Sequence, residues 1–187
     1  MFVGRKRELE ALDRYYKQDA FQFAVFYGRR RIGKTTLINQ FRKDKKAVYF
    51  VAIESTAKEN LELLSNQILS TLAPDAPKNP FGSFTEAFDY CFQTAKRERI
   101  IFVIDEYPYL AESDKAVSSI LQAAIDKNKD NSKLFLILCG SSMSFMENQV
   151  LGYKSPLYGR RTCQFKICLL HTMNPLKCFR VLPTKRK

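Results

Sequence analysis

The sequence lacks the long apolar segments that membrane proteins and exported proteins carry. No apolar run among its 187 residues approaches the roughly 20 residues that a membrane-spanning helix needs. Arg5, Lys6 and Arg7 place charge near the start of the chain, and no apolar core of a signal peptide accompanies them. We therefore predict a globular protein of the cytoplasm that has no membrane as a partner.

The cysteines also lack the pattern of a disulfide framework. Their number, five, is odd, and two of them lie in apolar periodic segments, where a free cysteine behaves as a small hydrophobic residue. This favours a reducing compartment. The residues with the chemistry of a zinc site are Cys163, Cys168, His171 and Cys178. Their spacing matches no standard zinc motif, so we predict no zinc.

Acidic residues are absent from the last part of the chain. Residues 151–187 carry a net charge of +9, residues 1–46 carry +8 and residues 47–150 carry −5, which gives +12 in total. Basic ends are typical of proteins that contact nucleic acid or another polyanion. They are also typical of a solvated surface, and no reader motif accompanies the charge here. Both interpretations stay open at this point.

The segment 28–35 has the spacing of a phosphate-binding loop, Gly-x-x-x-x-Gly-Lys-Thr. Glycines let successive backbone N–H groups turn inward around a phosphate, and the helix that follows adds the positive end of its dipole. Lys34 is predicted to reach the β- and γ-phosphates, and the Thr35 hydroxyl to ligate Mg²⁺. The predicted nucleotide-contacting residues of the loop are Gly28, Arg29, Arg30, Arg31, Ile32, Gly33, Lys34, Thr35 and Thr36.

Apolar strand patterns alternate with helical patterns along the chain, which predicts βαβ units and a parallel sheet. The predicted strands are 21–27, 47–53, 100–104, 134–139 and 163–169. The predicted helices are 5–17, 36–43, 55–72, 83–95, 113–128 and 142–150. Right-handed crossovers then give an α/β fold, a three-layer α/β/α sandwich. We predict one domain over residues 1–168 and an irregular basic tail, not a domain, over residues 169–187.

Gly28, Asp105 and Ser141 lie at or just beyond the carboxyl ends of three predicted strands, at the sheet edge where ligands bind in open α/β folds. Asp105 is predicted to hold Mg²⁺ through water, and Glu106 to orient an attacking water molecule. Ser141 is either a contact to the γ-phosphate or that water, or a small residue in a turn. Arg160 either stabilises charge on the γ-phosphate, for which its planar fork is suited, or is surface charge.

Five motifs together resemble the prokaryotic AAA-type ATPases of the archaeal ATPase family, which are related to the STAND signalling NTPases. The motifs are Phe-Val-Gly-Arg-x-x-Glu-Leu at 2–9, Gly-Arg-Arg-Arg-Ile-Gly-Lys-Thr at 28–35, Val-Ile-Asp-Glu at 103–106, Cys-Gly-Ser-Ser at 139–142 and Ser-Pro-Leu-Tyr-Gly-Arg-Arg at 155–161. The resemblance implies a P-loop NTPase with strand order 5-1-4-3-2. Family members continue into a helical lid and a winged helix, whereas 169–187 shows no periodicity, so we expect the ATPase core alone.

The resemblance also implies roles for individual residues. Lys34 and Thr35 would belong to Walker A, and Asp105 and Glu106 to Walker B. Ser141 would be the sensor-like residue. By the same resemblance, Arg160 would be the arginine that follows the fourth strand, and the residues that border the adenine would be Phe2, Val3 and Gly4.

The leading functional hypothesis is Mg²⁺-dependent binding and hydrolysis of ATP, at a low rate in this core alone. Its alternatives are a nucleotide-gated switch or interaction module with little turnover, a phosphotransferase acting on a small metabolite, and a nucleic-acid-associated regulator. No guanine-reading motif of the Asn-Lys-x-Asp type is present, which favours ATP over GTP. A protein partner or self-association stays open.

Overall fold

Six strands form a single sheet with helices on both sides. The computed structural model describes residues 5–75, 77, 79–168 and 179–180. The strands are β1 (Gln22–Tyr27), β2 (Ala47–Val51), β3 (Ile100–Asp105), β4 (Leu134–Gly140), β5 (Cys163–Lys166) and β6 (Phe179–Arg180). The helices are α1 (Lys6–Tyr16), α2 (Lys34–Arg42), α3 (Ala57–Leu72), α4 (Phe84–Thr94), α5 (Tyr107–Ser113), α6 (Val117–Asn128) and α7 (Met143–Phe145). A π-helical turn, Met146–Val150, continues α7.

The strand order is β2-β3-β4-β1-β5-β6, and the first five of these strands pair in parallel. This is the predicted order 5-1-4-3-2 written from the other edge. The short strand β6 was not predicted. It pairs antiparallel to β5, with Phe165 opposite Phe179. The rest of the predicted tail, including its candidate zinc residues His171 and Cys178, lies outside the described residues.

The three central strands are buried on both faces, because helices cover both sides of the sheet. Every residue of β1, β3 and β4 is buried. Along β1, Phe23 and Val25 belong to the core under α3 to α6, whereas Ala24 and Phe26 belong to the core under α1 and α2. This alternation explains why the strands read as nearly continuous apolar runs. The predicted three-layer sandwich is confirmed.

Two of the helices, α3 and α4, begin at residues whose side chains cap the first turn. Thr56 Oγ1 accepts a hydrogen bond from the Glu59 N–H at the start of α3, and Ser83 Oγ accepts one from the Glu86 N–H at the start of α4. The longest helix, α3, has 16 residues. None of the helices in the described ranges is both long enough and apolar enough to span a bilayer.

One predicted helix is wrong in its boundaries. The single helix predicted at 113–128 is α6 alone, and the unpredicted helix α5 precedes it. Pro108 lies in the first turn of α5, where its missing N–H is not needed. Tyr107 is fully buried, and its hydroxyl is 2.7 Å from Ser118 Oγ of α6. The short, mixed sequence of α5 has little helical periodicity, so this tertiary anchor was not visible in the pattern.

Candidate active site

The loop between β1 and α2 has the tight backbone that its glycines predict. Gly28 has φ 151°, Arg31 62° and Gly33 88°. Lys34, which begins α2, is 6% exposed. Its ammonium donates to the carbonyl oxygens of Gly28 at 2.8 Å and Arg29 at 2.9 Å. The Lys34 side chain therefore folds back over the phosphate loop, and the residue lines the cavity described below.

The two glycines of the loop are required for different reasons. A Cβ on Gly28 would lie 2.3 Å from the carbonyl oxygen of Ile167 and 2.7 Å from Cδ1 of Ile32, so the loop packs directly on the end of β5. A Cβ on Gly33 would meet nothing within 4 Å. There the left-handed backbone is the constraint, since it strains residues that carry a side chain.

The Arg5 side chain links the phosphate loop to α1 and to the segment that follows β5. Its guanidinium donates to the carbonyl oxygen of Ile32 in the loop at 3.1 Å and to that of Cys168 after β5, and it pairs with Glu8 of α1 at 3.1 Å. Arg5 is only 9% exposed. The sequence pattern did not predict these contacts of Arg5. The neighbouring candidates Phe2, Val3 and Gly4 lie outside the described residues, so their contact with an adenine stays a prediction.

Asp105, the last residue of β3, lies beside Thr35, and the binding of Mg²⁺ by the two residues stays a prediction. Thr35 Oγ1 donates to Asp105 Oδ2 at 3.1 Å, and the Tyr49 hydroxyl of β2 donates to the same oxygen. Asp105 is 5% exposed. Burial, and after it the hydrogen bond to Asp105, raises the pKa of Tyr49 far above its ordinary value, so the hydroxyl stays a donor. Tyr49 was not among the site residues predicted from the sequence. The signal that could have found it is the strand register, because Tyr49 lies opposite Val103, two residues before Asp105.

The Thr35–Asp105 pair fits Mg²⁺ by the chemistry of its donors. Both offer oxygen, the ligand that this hard cation prefers. In the described part of the chain there is no group of three or more His, Cys, Asp or Glu side chains that would hold a metal alone. Where one or two protein groups bind Mg²⁺, the ion keeps several waters and shares phosphate oxygens.

Glu106 and Ser141 meet across the ends of β3 and β4. Glu106 has φ 50°, which turns the chain from β3 directly into α5. Its Oε2 accepts hydrogen bonds from the Ser141 N–H at 3.3 Å and from Ser141 Oγ at 2.9 Å. A cavity of about 350 Å³ opens at this edge of the sheet. It is lined by Arg30, Arg31, Gly33, Lys34, Thr35, Thr36 and Glu106.

The chain that carries this loop, carboxylate pair and cavity is similar to proteins of a known family. Residues 2–181 match the family described as an ATPase domain predominantly from Archaea. The chain belongs to this family. The family predicted from the five motifs is therefore confirmed.

The relatives of this ATPase domain include a longer protein, of which the chain covers only a part. An uncharacterized protein of Methanocaldococcus jannaschii is 36% identical over 167 residues, which are 89% of this chain and 36% of that protein. An uncharacterized ATP-binding protein of the same organism is 50% identical over 46 residues, 25% of this chain and 78% of that protein. The chain thus spans about a third of the first relative.

Two solved structures share the fold. A Walker-type ATPase of Pyrococcus abyssi has a TM-score of 0.63 at 21% identity, over 84% of this chain and 51% of that one. Cdc6p from Pyrobaculum aerophilum has a TM-score of 0.59 at 19% identity, over 89% of this chain and 46% of that one. The ATPase domain spans about half of either structure.

The structure places Arg160 away from the cavity of the ATPase domain. Its Nε and Nη2 donate to the two carboxylate oxygens of Asp126 on α6, at 2.9 and 2.6 Å. Its Nη1 donates to the carbonyl oxygens of Pro156 and Tyr158. The hydrogen bond from Arg160 lowers the pKa of Asp126. Arg160 thus ties the segment before β5 to α6, and its contact with a phosphate stays a prediction.

Gly140, the last residue of β4, has no room for a side chain. A Cβ at residue 140 would lie 2.7 Å from Sδ of Met146 and 2.9 Å from Cδ of Pro108. The methionine is able to move, but the proline ring is fixed in α5. We expect Gly140→Ala to lower the free energy of unfolding by about 1–3 kcal/mol, as overpacking does. Urea denaturation measures this change.

The matched control for Gly140→Ala is Gly82→Ala. There the nearest atom to a new Cβ is the Glu86 carboxylate oxygen at 3.3 Å, at the end of a flexible side chain. The free energy of unfolding should stay within about 0.5 kcal/mol of wild type. Equal stability of the Gly140 and Gly82 variants would contradict the steric argument.

Proposed function

We propose that this ATPase domain binds ATP together with Mg²⁺ and hydrolyses it to ADP and phosphate. One observation carries the proposal: Lys34, Thr35 and Glu106 line the same cavity, and Asp105 is hydrogen-bonded to Thr35 at its edge. A phosphate-binding loop, a metal-binding pair and a carboxylate for water are the three parts that hydrolysis of a nucleoside triphosphate needs.

The loop binds and orients the phosphates. Its backbone N–H groups and the N-terminus of α2 attract anions, and the Lys34 ammonium is within reach of the β- and γ-phosphates. Thr35 would ligate Mg²⁺ directly and Asp105 through water. Bound there, Mg²⁺ supplies charge neutralisation for the phosphate oxygens. Tyr49 and Thr35 both donate to Asp105 Oδ2 and so fix the orientation of that carboxylate.

Glu106 acts on the water. In hydrolysis the water oxygen forms a bond to the γ-phosphorus, the bond from that phosphorus to the bridging oxygen breaks, and ADP leaves with the electron pair. Glu106 orients the water and accepts a hydrogen bond from it, and the released proton passes to the carboxylate or to phosphate. The hydrogen bonds from Ser141 hold the carboxylate at the cavity.

The test is calorimetric titration of the wild-type domain with ATP and ADP, with and without Mg²⁺. We expect ATP to bind at least about tenfold more weakly when EDTA removes the metal. The cation that would join the oxygens of Thr35 and Asp105 to the phosphates is then absent. GTP is the comparison nucleotide. Affinity for ATP that is the same with Mg²⁺ and with EDTA would overturn the assignment of Thr35 and Asp105 to a metal site.

The contacts of Glu106 favour one alternative, a nucleotide-gated switch with slow turnover. Ser141 occupies Oε2 of Glu106 with two hydrogen bonds, which leaves one oxygen for water. Tight ATP binding without steady-state phosphate release would identify a switch. A nucleic-acid partner has less support, because Arg160 and Lys166 are paired with Asp126 and Glu147.

A further inference from the structure

A chain of side-chain hydrogen bonds includes two residues that line the cavity, Glu106 and an arginine of the phosphate loop, Arg30. Arg30 Nη2 donates to the Tyr109 hydroxyl at 2.8 Å, and Arg30 Nε donates to Ser141 Oγ at 3.4 Å. Ser141 Oγ in turn donates to Glu106 Oε2. The order Tyr109–Arg30–Ser141–Glu106 therefore joins α5, the loop, the end of β4 and the end of β3.

The chain of bonds fixes where the charge of Arg30 lies. Arg30 lines the same cavity as Glu106, and only Ser141 separates the two groups in the chain of bonds. Because Glu106 is the residue assigned to the attacking water, the guanidinium lies on the side of the cavity where the γ-phosphate reacts. Two of its five N–H donors are used, and the others are left for phosphate oxygens.

Arg160, the arginine that the family resemblance singles out, makes its hydrogen bonds to groups outside the cavity. Its fork holds the Asp126 carboxylate with two hydrogen bonds, and its third nitrogen binds backbone carbonyls. A role at the phosphate would require those bonds to break. Arg30 would keep its bonds to the Tyr109 and Ser141 hydroxyls and use its remaining N–H donors for charged phosphate oxygens, with which hydrogen bonds are stronger.

We propose that Arg30 is a catalytic residue, which neutralises developing charge on the γ-phosphate from within the phosphate loop of the same chain, and that Tyr109 is the residue that positions it. The inference rests on the proposed function. Arg30 forms and breaks no covalent bond. Its planar fork is suited to the oxygens of a transferring phosphoryl group.

The experiment compares ADP with ADP plus aluminium fluoride, a mimic of the transferring phosphoryl group, in the presence of Mg²⁺. Calorimetry gives both dissociation constants for wild type, Arg30→Ala, Arg30→Lys, Tyr109→Phe and Arg160→Ala. We expect Arg30→Ala to lose about tenfold to a hundredfold of the extra affinity for the mimic, while ADP affinity changes little. Arg30→Lys should lose less, since it keeps the charge without the fork.

Tyr109→Phe distinguishes positioning from a structural role. We expect a loss of about threefold to tenfold in affinity for the mimic, and no further loss when Tyr109→Phe is added to Arg30→Ala. A purely structural effect would add in the double variant. Arg97→Ala removes the same charge from an exposed turn between α4 and β3 and should leave both dissociation constants unchanged.

Two results would overturn the assignment. One is an Arg30→Ala variant, folded by circular dichroism, that distinguishes the mimic from ADP as wild type does. The other is loss of that distinction in Arg160→Ala alone. Both leave nucleotide binding, and so the proposed function, intact. A wild-type domain that binds neither ADP nor the mimic would remove the proposed function and the role of Arg30 together.

Discussion

Glu106→Gln is expected to bind ATP as tightly as wild type and to release phosphate at least about a hundredfold more slowly, the usual size of a general-base effect. The substitution keeps the shape of the side chain and its ability to accept from Ser141 through the amide oxygen. It removes the charge that polarises water. The loss should therefore fall on the rate of hydrolysis and leave the dissociation constant almost unchanged.

Steady-state phosphate release and ATP titration together measure this separation of rate from binding. Glu112→Gln is the matched control, since it makes the same change at an exposed position six residues further on, in α5. Its phosphate release should equal that of wild type. Equal release by the Glu106 and Glu112 variants would show that Glu106 does not act on water. Slow release by wild type itself, with tight binding, would instead support the switch.

Lys34→Ala is expected to weaken ATP binding by about a hundredfold or more, because a buried ammonium next to the phosphates makes charge-assisted hydrogen bonds. The fold should survive. The two carbonyl groups that Lys34 contacts belong to loop residues Gly28 and Arg29, and Lys34 itself lines the cavity, so water can enter where the donor is lost.

Titration with ATP in Mg²⁺ measures the loss, and thermal unfolding checks that the variant is folded. The control is Lys43→Ala, which removes the same charge from an exposed position just after α2. Its affinity for ATP should be within about twofold of wild type, since surface charges at a distance are screened by salt. If Lys34→Ala binds ATP like the control, the cavity is not the nucleotide site.

The sequence was sufficient to predict the parts of the site that depend on local pattern and on parallel strand order. The spacing of Gly28, Gly33 and Lys34 requires a particular loop. Asp105 and Ser141 each follow a buried strand, and the carboxyl ends of parallel strands meet at one edge. The Thr35–Asp105 and Ser141–Glu106 contacts are consequences of that geometry, although 70 and 35 residues separate the partners.

The contacts that the sequence did not predict are side-chain pairings between elements whose packing has no sequence signal. Tyr49 reaches Asp105 only because β2 is the neighbour of β3 in this register. Tyr109 reaches Arg30 only because α5 exists, and α5 depends on the burial of Tyr107 against α6. The partner of Arg160 was hidden for the same reason, since Asp126 lies on a helix whose exposed residues carry no pattern that selects one of them.

The bonds of Arg5 have a thermodynamic consequence for the whole domain. One guanidinium holds the phosphate loop through Ile32, α1 through Glu8 and the end of β5 through Cys168. If the phosphate loop binds nucleotide more tightly when Arg5 holds it in this form, then by linkage bound nucleotide stabilises the docking of α1 and β5 by the same free energy. Nucleotide in the cavity would therefore slow hydrogen exchange in segments about 160 residues apart in sequence that never touch it.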